Sequence, residues 1–142
     1  MTINANEWSH IAVTFGEKTI KVYVNGVEKG SSTTNVPSSV NFGIAHNDEQ
    51  GTRITRCFWV GYSYEHARYF PGMMSELRIW NRVLTADELA NATRRYGVDP
   101  KSEGLVTYWK CDEGQGDVIK DHTSYRNDLA SDGLKWEPVS LP

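Results

Sequence analysis

The chain has 142 residues, 39% hydrophobic and 23% charged, with 15 Lys plus Arg against 18 Asp plus Glu and a net charge of -3. That length suits one domain with a real core, and the composition is that of an ordinary globular chain rather than a disordered or fibrous one. The mild acidity offers no basic footprint for nucleic acid and no polybasic stripe for an anionic membrane. No apolar run approaches the roughly 20 residues needed to cross a bilayer, so membrane insertion is not expected. The opening MTINANEWSH does not read as a signal peptide. Two cysteines without CxxC spacing, Cys57 and Cys111, support neither a disulfide framework nor a zinc module. The unusual feature is the load of 5 Trp and 7 Tyr, which serves either core or binding surface.

Taken in chain order, most apolar segments alternate with period two between Gly, Asn, Ser or Pro, the pattern of half-buried strands. Residues 8–15 place Ile11, Val13 and Phe15 on one face and His10, Ala12 and Thr14 on the other. Residues 19–24 follow, with Ile20, Val22 and Val24 aligned opposite Lys21 and Tyr23. Asn25-Gly26 supplies the two positive-φ residues of a type I′ turn, so residues 18–28 are predicted to be a hairpin. Residues 29–39 are polar and turn-rich and read as a loop. Val40, Phe42 and Ile44 form a short predicted strand, 47–52 a loop, and 56–64 a further strand with Phe58, Val60, Tyr62 and Tyr64 on one side. Residues 74–83 are the next strand, with Leu77 and Ile79 inward and Trp80 on the alternate face. One helix is signalled over 86–96. Thr85 and Glu88 make a capping box, Leu84 and Leu89 a hydrophobic staple, and Gly97 and Pro100 end it. Strand pattern resumes over 105–111, followed by Asp/Gly-rich turns and an extended segment at 134–139. The elements add up to one all-β domain over residues 1–142 with a single connecting helix, most simply a sandwich.

Three segments carry a family resemblance. The first is Glu7-Trp8-Ser9-His10-Ile11-Ala12-Val13-Thr14-Phe15 followed by Lys21-Val22-Tyr23-Val24-Asn25-Gly26. The second runs Phe70-Pro71-Gly72-Met73-Met74-Ser75-Glu76-Leu77-Arg78-Ile79-Trp80-Asn81-Arg82-Val83-Leu84-Thr85 into Asp87-Glu88-Leu89. The third is Gly104-Leu105-Val106-Thr107-Tyr108-Trp109, then Asp112-Glu113-Gly114 and Asp121. Together they resemble the laminin-G-like, concanavalin A-like jelly-roll domains of secreted and surface proteins, including the laminin-G-type module of bacterial surface proteins. Pentraxins share the first two segments more loosely. The resemblance implies a jelly-roll β-sandwich with an extracellular or cell-surface setting. Such domains normally carry several strands before the W-x-H strand, so the chain is expected to lack N-terminal strands and to be the C-terminal part of a longer protein. The third segment often opens these domains, yet here it follows the closing helix. A closed sandwich brings its termini together, so a strand added at either end is expected to take a similar place.

The same fold carries glycoside hydrolases, whose retaining members need two facing carboxyl groups, displayed as E-x-D-x-E on one strand face. No such triplet occurs, and the adjacent pairs Asp48-Glu49 and Asp112-Glu113 would point to opposite faces of a strand. There is no G-x-S-x-G elbow, Walker loop or H-E-x-x-H helix either. Calcium is the cofactor the resemblance implies, but the residues after Gly61 are Tyr62-Ser63-Tyr64-Glu65, so the pentraxin-like acidic cluster is lost. Asp112, Glu113, Asp117 and Asp121 are the denser candidate metal group, set against a solvated turn in which Asp121 caps local backbone. Sugar rings pack on flat aromatic side chains with a polar tip, and Trp59, Tyr62, Tyr64, His66, Arg68, Tyr69 and Phe70 crowd one segment. The first six are the candidate ligand-binding residues, with core packing as the alternative, as for Trp8, Trp80 and Trp109.

His10 reads as a hydrogen-bonded structural residue, and Cys57 and Cys111 as buried thiols, although an exported setting would permit a bridge. Asn91-Ala92-Thr93 matches a glycosylation sequon inside the predicted helix. The expected function is a non-enzymatic binding module for glycans or other surface macromolecules, with no required cofactor. A structural domain packing on a neighbouring domain is the first alternative, and a glycan-cleaving enzyme the second. An unfinished sheet could also pair with a second copy through its open edge, giving a homodimer.

Overall fold

Asn25 and Gly26 adopt φ of 51° and 81°, the two left-handed residues that a type I′ turn requires. They join β2 (Thr19–Val24) to β3 (Val27–Ser32). β1 (Ile11–Gly16) pairs antiparallel with β2, giving a three-stranded sheet of order β1-β2-β3. The link between β1 and β2 is a second two-residue turn, in which Glu17 and Lys18 hold φ of 50° and 57° without being glycines. The computed structural model describes residues 2–37, 39, 46–47, 53–54, 60–61, 69–131 and 133–142.

The cross-strand register sets Ile11 against Val24, Val13 against Val22 and Phe15 against Ile20, so the predicted apolar set shares one face. That face is not the covered one throughout. Ile11 and Val13 are 47% and 63% exposed, whereas Thr14 and Tyr23, on the opposite face, are 8% and 4% exposed. Alternation identifies which residues share a face but not which face is covered. The loop expected from residue 29 begins later, because Ser31 and Ser32 pair with Lys21 and Ile20. Their polar side chains stand outward on an edge strand, where composition imitates a turn.

The chain divides into two compact units. One comprises Met1–Val36 and Met74–Pro142, the other Pro37–Met73. In the second unit β4 (His46–Asn47) and β5 (Arg53–Ile54) pair antiparallel, so residue 47 belongs to a strand rather than a loop. The strand expected at Val40, Phe42 and Ile44 lies outside the described residues, as does most of the one at 56–64.

In the first unit β6 (Leu77–Trp80) pairs antiparallel with β7 (Leu105–Trp109). β6 is shorter than the predicted 74–83, since Glu76 takes a left-handed φ of 58° just before it. β7 supplies the most buried side chains: Tyr108 at 0%, Thr107 at 2% and Trp109 at 3% exposure. β8 (Val118–Ile119) and β9 (Leu129–Ala130) form a small separate ladder. Residues 134–139 form no strand, and Trp136 Nε1 instead donates to the Gly116 carbonyl at 3.0 Å.

Both halves of the capping box are present: Thr85 Oγ1 accepts from Glu88 N, and Glu88 Oε2 accepts from Thr85 N at 2.9 Å. Glu88 also receives Arg82 at 2.8 and 3.0 Å and Arg94 at 2.9 Å. The Arg82 hydrogen bond first, then the Thr85 N–H, hold its carboxyl down at about 2. The helix itself, α1 (Ala86–Ala90), is much shorter than 86–96. It ends at Asn91, whose extended backbone and Oδ1, accepting from Thr93 N at 3.1 Å, start a separate 3-10 turn, Ala92–Arg94. The Asn side chain offers the backbone a local partner in place of the helical one. Arg78 on β6 then takes the carbonyls of Arg94 and Arg95 at 2.7 and 2.8 Å, so the chain does not wind on. The sequon Asn91-Ala92-Thr93 therefore sits at this break rather than inside a helix.

Gly26 packs directly on α1. A Cβ built there would lie 2.6 Å from Ala90 Cα and 2.9 Å from the Leu89 carbonyl oxygen, on a residue already at φ +81°. Gly26→Ala should therefore destabilise the fold by about 2–3 kcal/mol, from left-handed strain plus displacement of the helix backbone, read as a lower urea midpoint with unchanged m-value.

Candidate functional site

Two groups of candidate residues follow from the sequence, and the fold treats them differently. In the aromatic segment, Trp59, Tyr62, Tyr64, His66 and Arg68 lie outside the described residues. Tyr69 is described and leaves 69% of its surface exposed, with Phe70 beside it at 46%. Phe70 N donates to the Gly61 carbonyl at 2.8 Å, which brings the two ends of that segment together.

The acidic group separates into two arrangements. Asp121 is turned inward, 4% exposed. Its Oδ1 accepts from Tyr108 N and Thr123 N, and its Oδ2 from Thr123 Oγ1 and Asn127 N, all at 2.9 Å. Burial pushes this carboxyl up, but the backbone N–H groups of Tyr108, Thr123 and Asn127 together outweigh it and hold the group below the usual carboxylate range. Around it, Asn127 O accepts from Trp109 Nε1 at 2.8 Å and Asn127 Nδ2 donates to Thr107 Oγ1 at 3.0 Å. This network ties the turn at 121–127 onto β7.

Asp112 and Glu113 instead gather with His122, offering one ligand atom each within 4.8 Å. His122 carries no spacing signal toward Asp112 and Glu113, because the return of the chain alongside β7 supplies the proximity. Asp117 is not among the three. Glu113 Oε1 already accepts from Lys120 N at 2.7 Å, while its Oε2 is buried without a partner. Calcium takes six to eight oxygens. With Asp121 saturated by protein donors and an imidazole nitrogen in place of a further oxygen, these described side chains fall well short of that set.

Cys111 carries a free thiol at a left-handed φ of 61°, and Cys57 lies outside the described residues. Burial first, then Glu113 and Asp112, push the Cys111 thiol up to about 12, which makes it a poor nucleophile. His10 is pinned through its backbone, with N donating to Asn25 Oδ1 at 2.9 Å and O accepting from Asn25 N at 2.8 Å. Its ring Nδ1 is buried without a partner, and the hydrogen bonds described at His10 are those of its main chain to Asn25. Burial, with Arg78 and Arg95 nearby, lowers its pKa and keeps the ring neutral.

An aromatic residue absent from the sequence-derived site also stands out. Tyr125 is 61% exposed and lines a small groove of about 210 Å³ with Asn81, Lys101, Ser102 and Ser124. No motif of the sequence marks it, because its exposure and its groove depend on segments distant in the chain.

No curated protein sequence matches the chain. A structure of a candidate carbohydrate-binding protein from Bacteroides ovatus superposes with a TM-score of 0.58 at 28% identity, covering 94% of this chain and 39% of its own. An S-layer domain-containing protein from Clostridium thermocellum aligns at a TM-score of 0.42 and 26% identity, over 63% of this chain and 41% of its own. The chain thus spans about two fifths of the length of either neighbour. A laminin-G-type family model, described as the concanavalin A-like lectin/glucanases superfamily, matches residues 1–90. Strand-rich among its described residues, with a W-x-H hairpin, the chain belongs to the concanavalin A-like lectin/glucanases superfamily.

Proposed function

We propose that the chain is a non-catalytic glycan-binding module of an exported or cell-surface protein, working without a required cofactor. The observation that carries this reading is the likeness to the candidate carbohydrate-binding protein, at 28% identity over 94% of the chain. The aromatic segment supports it locally, since Tyr69 and Phe70 offer exposed ring surface on which sugar C–H faces can stack. The proposed ligand residues are Trp59, Tyr62, Tyr64, His66, Arg68 and Tyr69. Among the described residues no helix is long and apolar enough to cross a membrane. We further propose that residues 1–142 are part of a longer protein, since the chain covers 39% of the candidate carbohydrate-binding protein's structure.

In a glycan panel read by calorimetry, the native chain should bind at least one saccharide, and Tyr69→Ala with Tyr64→Ala should weaken it about tenfold or more. Stacked aromatic contacts of this kind contribute about 0.5–1.5 kcal/mol each beyond area burial. Equal binding by native and doubly substituted chains would remove the site. One observation favours the second reading, a domain that packs on a neighbour: Ile11, Val13 and Val27 are 47%, 63% and 55% exposed on the first sheet. That reading expects no glycan to bind at all.

A further inference from the structure

We propose that the turn 121–127 and the facing segment 99–101 form a second saccharide site, selective for glycans bearing a carboxylate or sulfate. The ligand class rests on the glycan-binding reading above, but the site is independent of the aromatic segment. A groove of about 720 Å³ runs between these segments, within the usual range for small-molecule sites, and its lining carries Lys101, Lys120 and Arg126 against Asp99. All three cations are exposed, and among the described residues none makes an ion pair. Asp99 is partly occupied, since its Oδ1 accepts from Lys101 N at 2.9 Å. The other acid on the lining, Asp121, is buried and its oxygens are taken by protein donors, so it adds negative charge but no exposed acceptor. Three cations against two carboxylates leave the lining one net positive charge, with His122 at its edge 3.9 Å from Asp112.

The groove has the other requirement of a sugar site as well. The smaller groove lined by Tyr125 shares Lys101, Ser124 and Pro100 with the larger one, so an exposed ring adjoins the cations. Tyr125 can stack on a pyranose face while Lys and Arg donate to its anionic substituent. Arg126 holds a left-handed φ of 58°, a conformation that costs a side-chain-bearing residue energy and that glycine would take freely. The net charge of -3 for the whole chain makes this a local cationic feature on an acidic protein. That contrast suits a small anionic ligand rather than a long polyanion.

The test is calorimetric titration of the whole chain with an oligouronate, a sulfated oligosaccharide and the neutral oligosaccharide of matched length, at low and high ionic strength. At least one acidic probe should bind about tenfold or more tighter than the neutral one at low ionic strength, and lose that margin as salt screens the contacts. The variant Lys101→Ala/Lys120→Ala/Arg126→Gly should lose the preference and keep its circular dichroism spectrum, because Arg126→Gly relieves strain. Tyr125→Ala should weaken acidic binding without changing its salt dependence. Equal affinity for acidic and neutral probes, or an unchanged triple variant, would overturn the inference. So would inorganic sulfate competing as well as the sulfated oligosaccharide, since the groove would then hold a bare anion. Binding of the neutral glycan alone, unaffected by the triple variant, overturns this inference and leaves the glycan-binding reading standing. Absence of binding by every probe overturns this inference, and the glycan-binding reading falls with it only if the whole glycan panel also fails to bind.

Discussion

Asp121→Ala should lower the stability of the fold by about 3–5 kcal/mol, measured by urea unfolding. The residue is 4% exposed and accepts four hydrogen bonds, three of them from the backbone N–H groups of Tyr108, Thr123 and Asn127. Removing the carboxylate strands those donors. An unsatisfied buried donor costs about 1–3 kcal/mol, so even partial rescue by water leaves a large loss. Asp121→Asn should recover little, because its amide nitrogen would face N–H donors with another N–H.

The acid limb follows from the same geometry. The Asp121 carboxyl lies below its ordinary value in the folded chain, and an unfolded aspartate titrates near about 3.9. Its contribution is therefore fully present above about pH 4 and is lost as pH falls through the folded value. The Asn variant should show a flatter stability profile below that pH. Chelation should not reproduce the alanine effect, since protein donors supply four hydrogen bonds to the two Asp121 oxygens.

The second large effect is expected at Tyr108, which is fully buried, at 0% exposure. Tyr108→Ala should cost about 3–5 kcal/mol, through lost transfer energy and the cavity left behind. Its hydroxyl donates to Glu76 Oε2 at 2.6 Å, and the Arg78 guanidinium and Lys110 ammonium lie 5.7 and 5.8 Å from its ring centre. Burial and the adjoining Glu76 carboxylate both push the phenol far up, so it stays a donor at every accessible pH. Tyr108→Phe keeps the packing and removes the hydroxyl's bond to Glu76 together with the one it accepts from the Gly97 backbone N–H, and should cost about 1–2 kcal/mol. A gap between the two variants, read in one denaturation series, separates ring from hydroxyl. Near-equal losses would show that the Glu76 contact dominates and the packing account fails.

Tyr108 and Asp121 meet at one point, because the Tyr108 N–H is one of the four donors to Asp121. Tyr108→Ala keeps that backbone N–H, so a departure of the double variant from the sum of the singles would report displacement of the β7 backbone by the cavity.

Several features of the fold could be read from neighbouring residues. The Asn25-Gly26 turn requires left-handed φ at both positions, and few residue pairs other than these take it cheaply. Thr85 and Glu88 satisfy each other across three residues, so the start of α1 was visible, and the W-x-H and Arg78-Ile79-Trp80 segments marked the superfamily. The end of α1 was not visible. It depends on Arg78 reaching carbonyls 16 and 17 residues away, and on Asn91 diverting its backbone. The Glu17-Lys18 turn carries no such signal, because neither residue type favours a positive φ.

The candidate sites divide along the same line. Spacing grouped Asp112, Glu113, Asp117 and Asp121 as acids in one loop, but residue order carries no burial. Only the antiparallel return alongside β7 turns Asp121 inward and sets His122 beside Asp112 and Glu113. The groove between 99–101 and 121–127 joins segments about twenty residues apart, and no motif spans them. The aromatic richness of the chain was plain from its composition, and Tyr69 keeps its ring exposed, whereas Tyr108 and Trp109, of the same chemistry, are buried. Sequence by itself determined the superfamily, the strand-rich class and the local turns and cap, because each rests on hydrogen bonds or dihedral preferences within a few residues. Which aromatic is core, which acid is structural and which cations share a groove was decided only by tertiary structure, because burial and convergence depend on pairing between distant segments.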